Sequence, residues 1–279
     1  MIKRILVALD VDTDTPVAIQ YAENIAKRYD AEVVGLAVVD TGNIDSGARG
    51  GGIGSMYYAE KLRENLTEET REKARALIQK FEAAFDQRGL DHSETVKEGV
   101  PFRRIVEDMK YHDLLVVGRE PHFFYGHPEQ KTKTLGRVVK ETTAPTVVVG
   151  NQFTSVRRVL IAFDGSSASA RTAQYYLHLL PFGKEVGVEA IHVHQGNDRE
   201  SELLLAMFEK YCSRHAIELR TTSMRGEDPG AAISNHAQET DADIVVAGAH
   251  SVSKIKEWAI GSTTSKLLET CPTPMFLYH

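Results

Sequence analysis

The feature that most constrains this chain is an internal duplication. Lys3–Asp10, KRILVALD, returns as Arg157–Asp164, RRVLIAFD. Asp113–Gly118, DLLVVG, returns as Asp243–Gly248, DIVVAG. Pro145–Val149, PTVVV, returns as Pro274–Tyr278, PMFLY. Three matched blocks in one order mean two copies of one unit, so any fold must be built twice. Gly150–Ser155 is a polar stretch between two apolar runs and marks the boundary. The expected domains are residues 1–150 and 155–279.

Each copy alternates short β-branched runs with amphipathic stretches. In the first, strands are expected at Ile5–Leu9, Glu32–Val39, Ser93–Val96, Leu114–Val117 and Thr146–Val149. Helices are expected over Pro16–Arg28, Tyr58–Arg88, Phe102–Met109 and Leu135–Glu141. The second copy repeats the order with a shorter second helix near Ser201–Arg214. Strands alternating with helices give a parallel sheet covered on both faces. The expected class is α/β, with two tandem doubly wound, Rossmann-like domains of five strands each. Ligands of such sheets bind beyond the carboxyl ends of the strands, where strand order reverses. If the first and fourth strands meet there, Asp164 faces Gly248 and Asp10 faces Gly118.

Composition narrows the functional classes. Of 279 residues, 42% are hydrophobic and 26% charged, enough for packed cores. The net charge of −6 favours neither nucleic acid nor an anionic membrane as partner. Two cysteines, Cys212 and Cys271, without a CxxC pair, suit a reducing compartment. The N-terminal apolar run is too short for a signal peptide or a membrane span, so a soluble cytoplasmic protein is expected.

The second copy carries a loop suited to phosphate. Gly248 ends a strand and lets a ligand approach the backbone. Gly261-Ser262-Thr263 then opens a helix, offering free N–H groups, hydroxyls and a positive dipole end. Lys254 and Lys256 lie between them. In the bland alternative, Ser262 and Thr263 only cap that helix and Asp164 caps a turn.

With these residues in view, the chain resembles the universal stress protein family, in its tandem two-domain form. That family's phosphate loop reads Gly-x2-Gly-x9-Gly-Ser/Thr, and the match here is Gly248-x2-Ser251-x9-Gly261-Ser262. Serine replaces the second glycine. Asp164-Gly165-Ser166 matches the family's aspartate after the first strand. The resemblance implies an adenine nucleotide α-hydrolase-like fold that binds ATP, with or without Mg²⁺. It places Asp164 and Gly165 against adenine and ribose and the Val193 backbone at the adenine edge. Gly248, Gly261, Ser262 and Thr263 would hold the phosphates, with His250 and Ser251 as further binding candidates. It also implies that Val147–Val149 and Met275–Leu277 pair within the chain as a built-in pseudo-dimer, shielding two apolar edges, and leaves room for a homodimer.

The first copy keeps Asp10 and Gly118 but departs at the loop. Gly136 lies 9 residues before Pro145, whereas Gly261 lies 13 before Pro274, so Gly136 is not the loop glycine. Aligning the helices puts Lys131 or Thr132 opposite Gly261. This site is either a degenerate structural partner, or it holds an anion through the side chains of Lys131, Thr132 and Lys133. The run His122–Tyr125 covers a ligand or packs under the loop. Gly47–Ser55 has no P-loop ending and reads as a loop at the site mouth.

His192 and His194 share one side of a strand and, with His250, make a weak metal candidate; no ligand set of clear spacing exists, so no metal is assigned. No catalytic constellation stands out. The expected function is a nucleotide-binding stress or regulatory protein. The alternatives are a slow ATP-hydrolysing or nucleotidyl-transfer enzyme in the same crevice, and a nucleotide-free scaffold.

Overall fold

The computed structural model describes residues 1–11, 14–41, 53–119, 131–249 and 261–279. His250, Ser251, Lys254, Lys256, the His122–Tyr125 run and most of the Gly47–Ser55 stretch fall outside them. The first half runs β1 (Arg4–Ala8), α1 (Thr15–Tyr29), β2 (Glu32–Val39), α2 (Ile53–Asp86), β3 (His92–Glu98), α3 (Pro101–Asp108), β4 (Leu114–Gly118), α4 (Lys131–Glu141) and β5 (Thr146–Val149). The second half runs β6 (Arg158–Ala162), α5 (Ser167–Leu179), β7 (Gly187–His194), α6 (Asp198–Arg214), β8 (Leu219–Arg225), α7 (Pro229–Glu239), β9 (Ile244–Gly248), α8 (Ser262–Thr270) and β10 (Met275–Tyr278).

All ten strands form one sheet, in the order β3-β2-β1-β4-β5-β10-β9-β6-β7-β8. Every neighbouring pair is parallel except β5 and β10, which pair antiparallel with Val147 opposite Phe276. The seam follows from composition: TVVV and MFLY are apolar and almost wholly buried. The outer strands β3 (HSETVKE) and β8 (LRTTSMR) alternate polar, exposed residues, as free edges must.

Both faces of the inner strands are covered. Ile5 and Val7 of β1 join the core beneath α1, α2, α5 and α6, while Leu6 and Ala8 join that beneath α3, α4, α7 and α8. Each core runs unbroken across the seam. Over the first face, Tyr21 Oη donates to the Thr154 carbonyl (3.0 Å) and Tyr29 Oη to that of Leu180 (2.5 Å).

Two helix starts differ by four residues or more from the periodicity. Helix α2 begins at Ile53 rather than Tyr58 and takes in Gly54 and Ser55 from the glycine-rich stretch. Among its described side chains the inward stripe is buried from Thr70 onward, through Ala74, Ile78 and Phe81. Helix α4 begins at Lys131 rather than Leu135, and buried Gly136 lies inside it.

Strand order reverses between β1 and β4, and again between β6 and β9. The antiparallel seam turns the two halves head to tail, so their crevices open at opposite ends of the strands. Among the described residues, no helix is long and apolar enough to cross a membrane.

Candidate functional site

A cavity of about 520 Å³ opens at the carboxyl end of the second half's strands. Three strand ends form its floor: Ala162 to Asp164, Ile191 with Val193, and Ala247 with Gly248. Helix starts form its walls. Ser166, Ala168 and Ser169 come from α5, Pro229 and Ile233 from α7, and Gly261 to Thr264 from α8.

The cavity has two chemical ends. Ile191, Val193, Pro229 and Ile233 make an apolar wall that suits a flat ring. Pro229 is fixed at the start of α7, where Asp228 caps the helix by accepting from Ala231 N–H at 3.0 Å. At the other end, α8 starts at Gly261, which has φ −54° and supplies no side-chain cap. The first intrahelical bond runs from Ser265 N–H to the Gly261 carbonyl at 2.9 Å. The N–H groups before it have no partner inside the helix, and the dipole makes that end positive. Ser262 is exposed, Thr263 half-buried and Thr264 buried.

Gly248 is where the backbone must come close. A Cβ there would lie 2.9 Å from Ala168 C and Ser169 N, inside normal contact. The start of α5 therefore packs directly on the end of β9. The Thr264 hydroxyl donates to the Gly248 carbonyl, which ties α8 to the same point.

Asp164 stands at the rim after β6. Its Oδ1 accepts from Ser166 N–H at 2.9 Å, and Ser166 Oγ caps α5 by accepting from Ser169 N–H. The residue is exposed, yet the cavity walls draw its carboxyl partly out of water, which alone would raise its pKa. Hydrogen bonds from Ser166 and Ser169 outweigh that and hold the carboxyl below its usual value. Gly165 turns the chain with φ +74° and does not line the cavity.

His192 and His194 point away from the cavity toward α6. His192 Nδ1 lies 2.9 Å from Ser201 Oγ, Ser201 Oγ 2.6 Å from Ser223 Oγ, and His194 Nε2 3.0 Å from Ser223 Oγ. Partial burial and neighbouring His194 push the His192 pKa down, against Asp164. Among the described residues, no group of three His, Cys, Asp or Glu side chains could hold a metal ion.

The first half is built differently at the same place. Asp10 is buried, and its Oδ1 accepts from Val11 N–H at 2.7 Å. Four residues after Asp10 comes Asp14, where Ala168 follows Asp164 in the second half. Asp14 Oδ2 accepts from the backbone N–H of Arg119, just beyond Gly118, at 3.0 Å. A carboxylate thus sits at the tip of β4. The cavity that Asp10 lines, of about 540 Å³, lies instead between α1 and α2, with Ile19, Leu77 and Lys80. Gly118 does not line it, and Lys131 and Thr132 open α4.

The six second-half candidates Asp164, Val193, Gly248, Gly261, Ser262 and Thr263 line one cavity. Sequence alone did not single out the lining residues Ser169, Pro229, Ile233 and Thr264. The Asp228-Pro229 helix start was the signal available for one of them.

Residues 1–150 and 188–279 match the family described as Universal stress protein family. A universal stress protein of Synechocystis sp. (strain ATCC 27184 / PCC 6803 / Kazusa) is 22% identical over 300 residues, covering 99% of this chain and all of that protein. A universal stress protein of Bacillus subtilis (strain 168) is 26% identical over 144 residues, covering 41% of this chain and 95% of its own length. Among solved structures, a universal stress protein from Archaeoglobus fulgidus DSM 4304 superposes with a TM-score of 0.75 at 18% identity. That likeness covers 99% of this chain and 95% of the other, and at such identity it concerns the fold. With both halves matched, the chain belongs to the universal stress protein family.

Proposed function

We propose that the second half binds an adenine nucleotide, ATP, and that the protein acts as a nucleotide-responsive stress or regulatory protein. One observation carries this reading: a single cavity joins an apolar slot, the Asp164 carboxylate and a helix start whose cap residue is glycine. Its volume of about 520 Å³ suits a small ligand. The base fits between Val193 and Ile233, and the sugar hydroxyls fit the Asp164 carboxylate. The phosphates fit the α8 start, where the Gly261, Ser262 and Thr263 backbone and the two hydroxyls would hold them. Mg²⁺, where it accompanies ATP, travels on the phosphates.

The second half is preferred because the Asp14 carboxylate of the first half occupies the corresponding strand tip. Repulsion between that carboxylate and phosphate disfavours the same ligand there. We read residues 1–150 and 155–279 as the two domains, joined by β5 and β10 as a pseudo-dimer inside one chain. Two free, buried cysteines accord with a cytoplasmic setting.

The test is mass spectrometry of ligand released from purified protein, with calorimetric titration of ATP and Mg²⁺. Stoichiometric ATP, bound and returned unchanged, supports the reading. Repeated turnover would favour a slow hydrolase or transferase in the same cavity. Absence of binding would leave a scaffold.

A further inference from the structure

The far end of α8 is held by the other half of the molecule. Arg119 follows Gly118 at the end of β4. Its Nη1 donates to the Cys271 carbonyl and its Nη2 to the Thr273 carbonyl at 2.6 Å. Both carbonyls belong to the turn from α8 into β10. Sheet register explains the meeting. Gly118 pairs with Val149, and Val148 pairs with Met275 across the antiparallel seam. The upper end of β4 therefore lies beside the start of β10.

Arg119 is anchored through its backbone as well. Its N–H is shared between the Val149 carbonyl at 2.8 Å and Asp14 Oδ2 at 3.0 Å. The corresponding residue of the second half is Ala249, whose N–H donates to the Tyr278 carbonyl at 2.7 Å. A methyl group cannot reach back to the turn after α4. The link runs in one direction, from the first half to the second.

Helix α8 has nine residues, so it is roughly 14 Å long. Its first turn lines the cavity and is tied to Gly248 by Thr264. Its last turn runs into the carbonyls that Arg119 holds. A guanidinium at that end makes charge-assisted hydrogen bonds and complements the negative pole of the helix dipole. Donors converging on phosphate must be placed to within about half an ångström to act together.

We propose that Arg119 is a positioning residue for the phosphate end of the second half's cavity, so that the first half sets how strongly phosphorylated ligands are held. The proposal rests on the nucleotide reading. It separates the two ends of the ligand: adenosine uses the Asp164 and Ile233 end and is indifferent to Arg119, whereas ATP also uses the end that α8 supplies.

The experiment uses the full chain as wild type, Arg119→Ala and Arg119→Lys, titrated with ATP and with adenosine. Amide hydrogen exchange of α8 in unliganded protein is followed in parallel. Arg119→Ala is expected to weaken ATP roughly tenfold and leave adenosine unchanged, with Arg119→Lys intermediate. Amides of α8 should exchange faster in Arg119→Ala, while those of β1 and β2 stay as they were. Unchanged ATP affinity, or equal losses for ATP and adenosine, overturns the proposal. If wild type binds neither ligand, the nucleotide reading fails and takes the phosphate preference with it. Exchange in α8 then still reports whether Arg119 holds the helix, and unaltered exchange overturns that too.

Discussion

Thr264 Oγ1 lies 2.5 Å from the carbonyl oxygen of Gly248, so the first turn of α8 is pinned to the last residue of β9. A strand end and a helix start that both line the cavity are thereby held as one unit. Thr264→Val keeps the shape and removes the donor. Chemical denaturation should show a loss of about 1 kcal/mol, the usual net value of one such bond. Calorimetry should show weaker ATP binding, because α8 is freed at its ligand end.

Gly248→Ala tests the close approach. The added Cβ would sit 2.9 Å from backbone atoms of Ala168 and Ser169, which cannot turn aside as a side chain would. The start of α5 must move. A destabilisation of about 1–3 kcal/mol is expected by denaturant unfolding, together with loss of nucleotide.

Gly261→Asp separates binding from stability. The backbone at Gly261, φ −54° and ψ 146°, is open to any residue, and aspartate is a favoured helix cap. The variant should be as stable as wild type or slightly more stable. Its carboxylate would occupy the N–H groups meant for phosphate and repel the ligand, so ATP affinity should fall at least tenfold in calorimetry. Unimpaired ATP binding by a folded Gly261→Asp protein would sink the placement of the phosphates.

Asp164 supplies a pH test. Its carboxyl is held below the usual value in the fold, so near pH 4 the unfolded chain binds more protons than the folded one. The stability it contributes is complete above the unfolded value of about 4 and is lost as pH falls through the folded value. In Asp164→Asn this dependence should vanish. The difference in unfolding free energy between the two proteins should be flat from pH 5 to 8 and shrink in acid. A difference that grew as pH fell would contradict the assigned hydrogen bonds.

Phe276 tests the seam. It is fully buried in β10, opposite Val147 of β5, with its ring edge-on to Tyr176 at 5.3 Å. Phe276→Ala should cost about 3–5 kcal/mol, read from thermal or denaturant unfolding.

The inner strands were legible in the sequence because they are buried on both faces, so their apolar runs are continuous; their order in the sheet comes from the structure. RILVA and LLVVG have no other reading at that length. Helix starts were harder to place. Between Glu60 and Glu69 no side chain of α2 is buried, so no core spacing there leads back to Ile53 as the beginning. At the site, Asp164, Gly248 and Gly261 could be found from spacing, since each serves the backbone of one local turn. Ile233 and Ser169 could not, because they reach the cavity only when α5 and α7 pack against the sheet. Arg119 was the least visible. Its partners Cys271 and Thr273 lie far along the chain and are backbone carbonyls, which carry no residue signature.

The antiparallel seam has a consequence for biosynthesis. Val148 of β5 pairs with Met275 of β10, about 127 residues later. At ribosomal speeds of about 5–20 residues per second, β5 waits roughly 6–25 s for its partner strand. During that interval the TVVV strand is an apolar, unpaired edge on a nascent polypeptide. That window, rather than the finished protein, is when a chaperone would have reason to attend this chain.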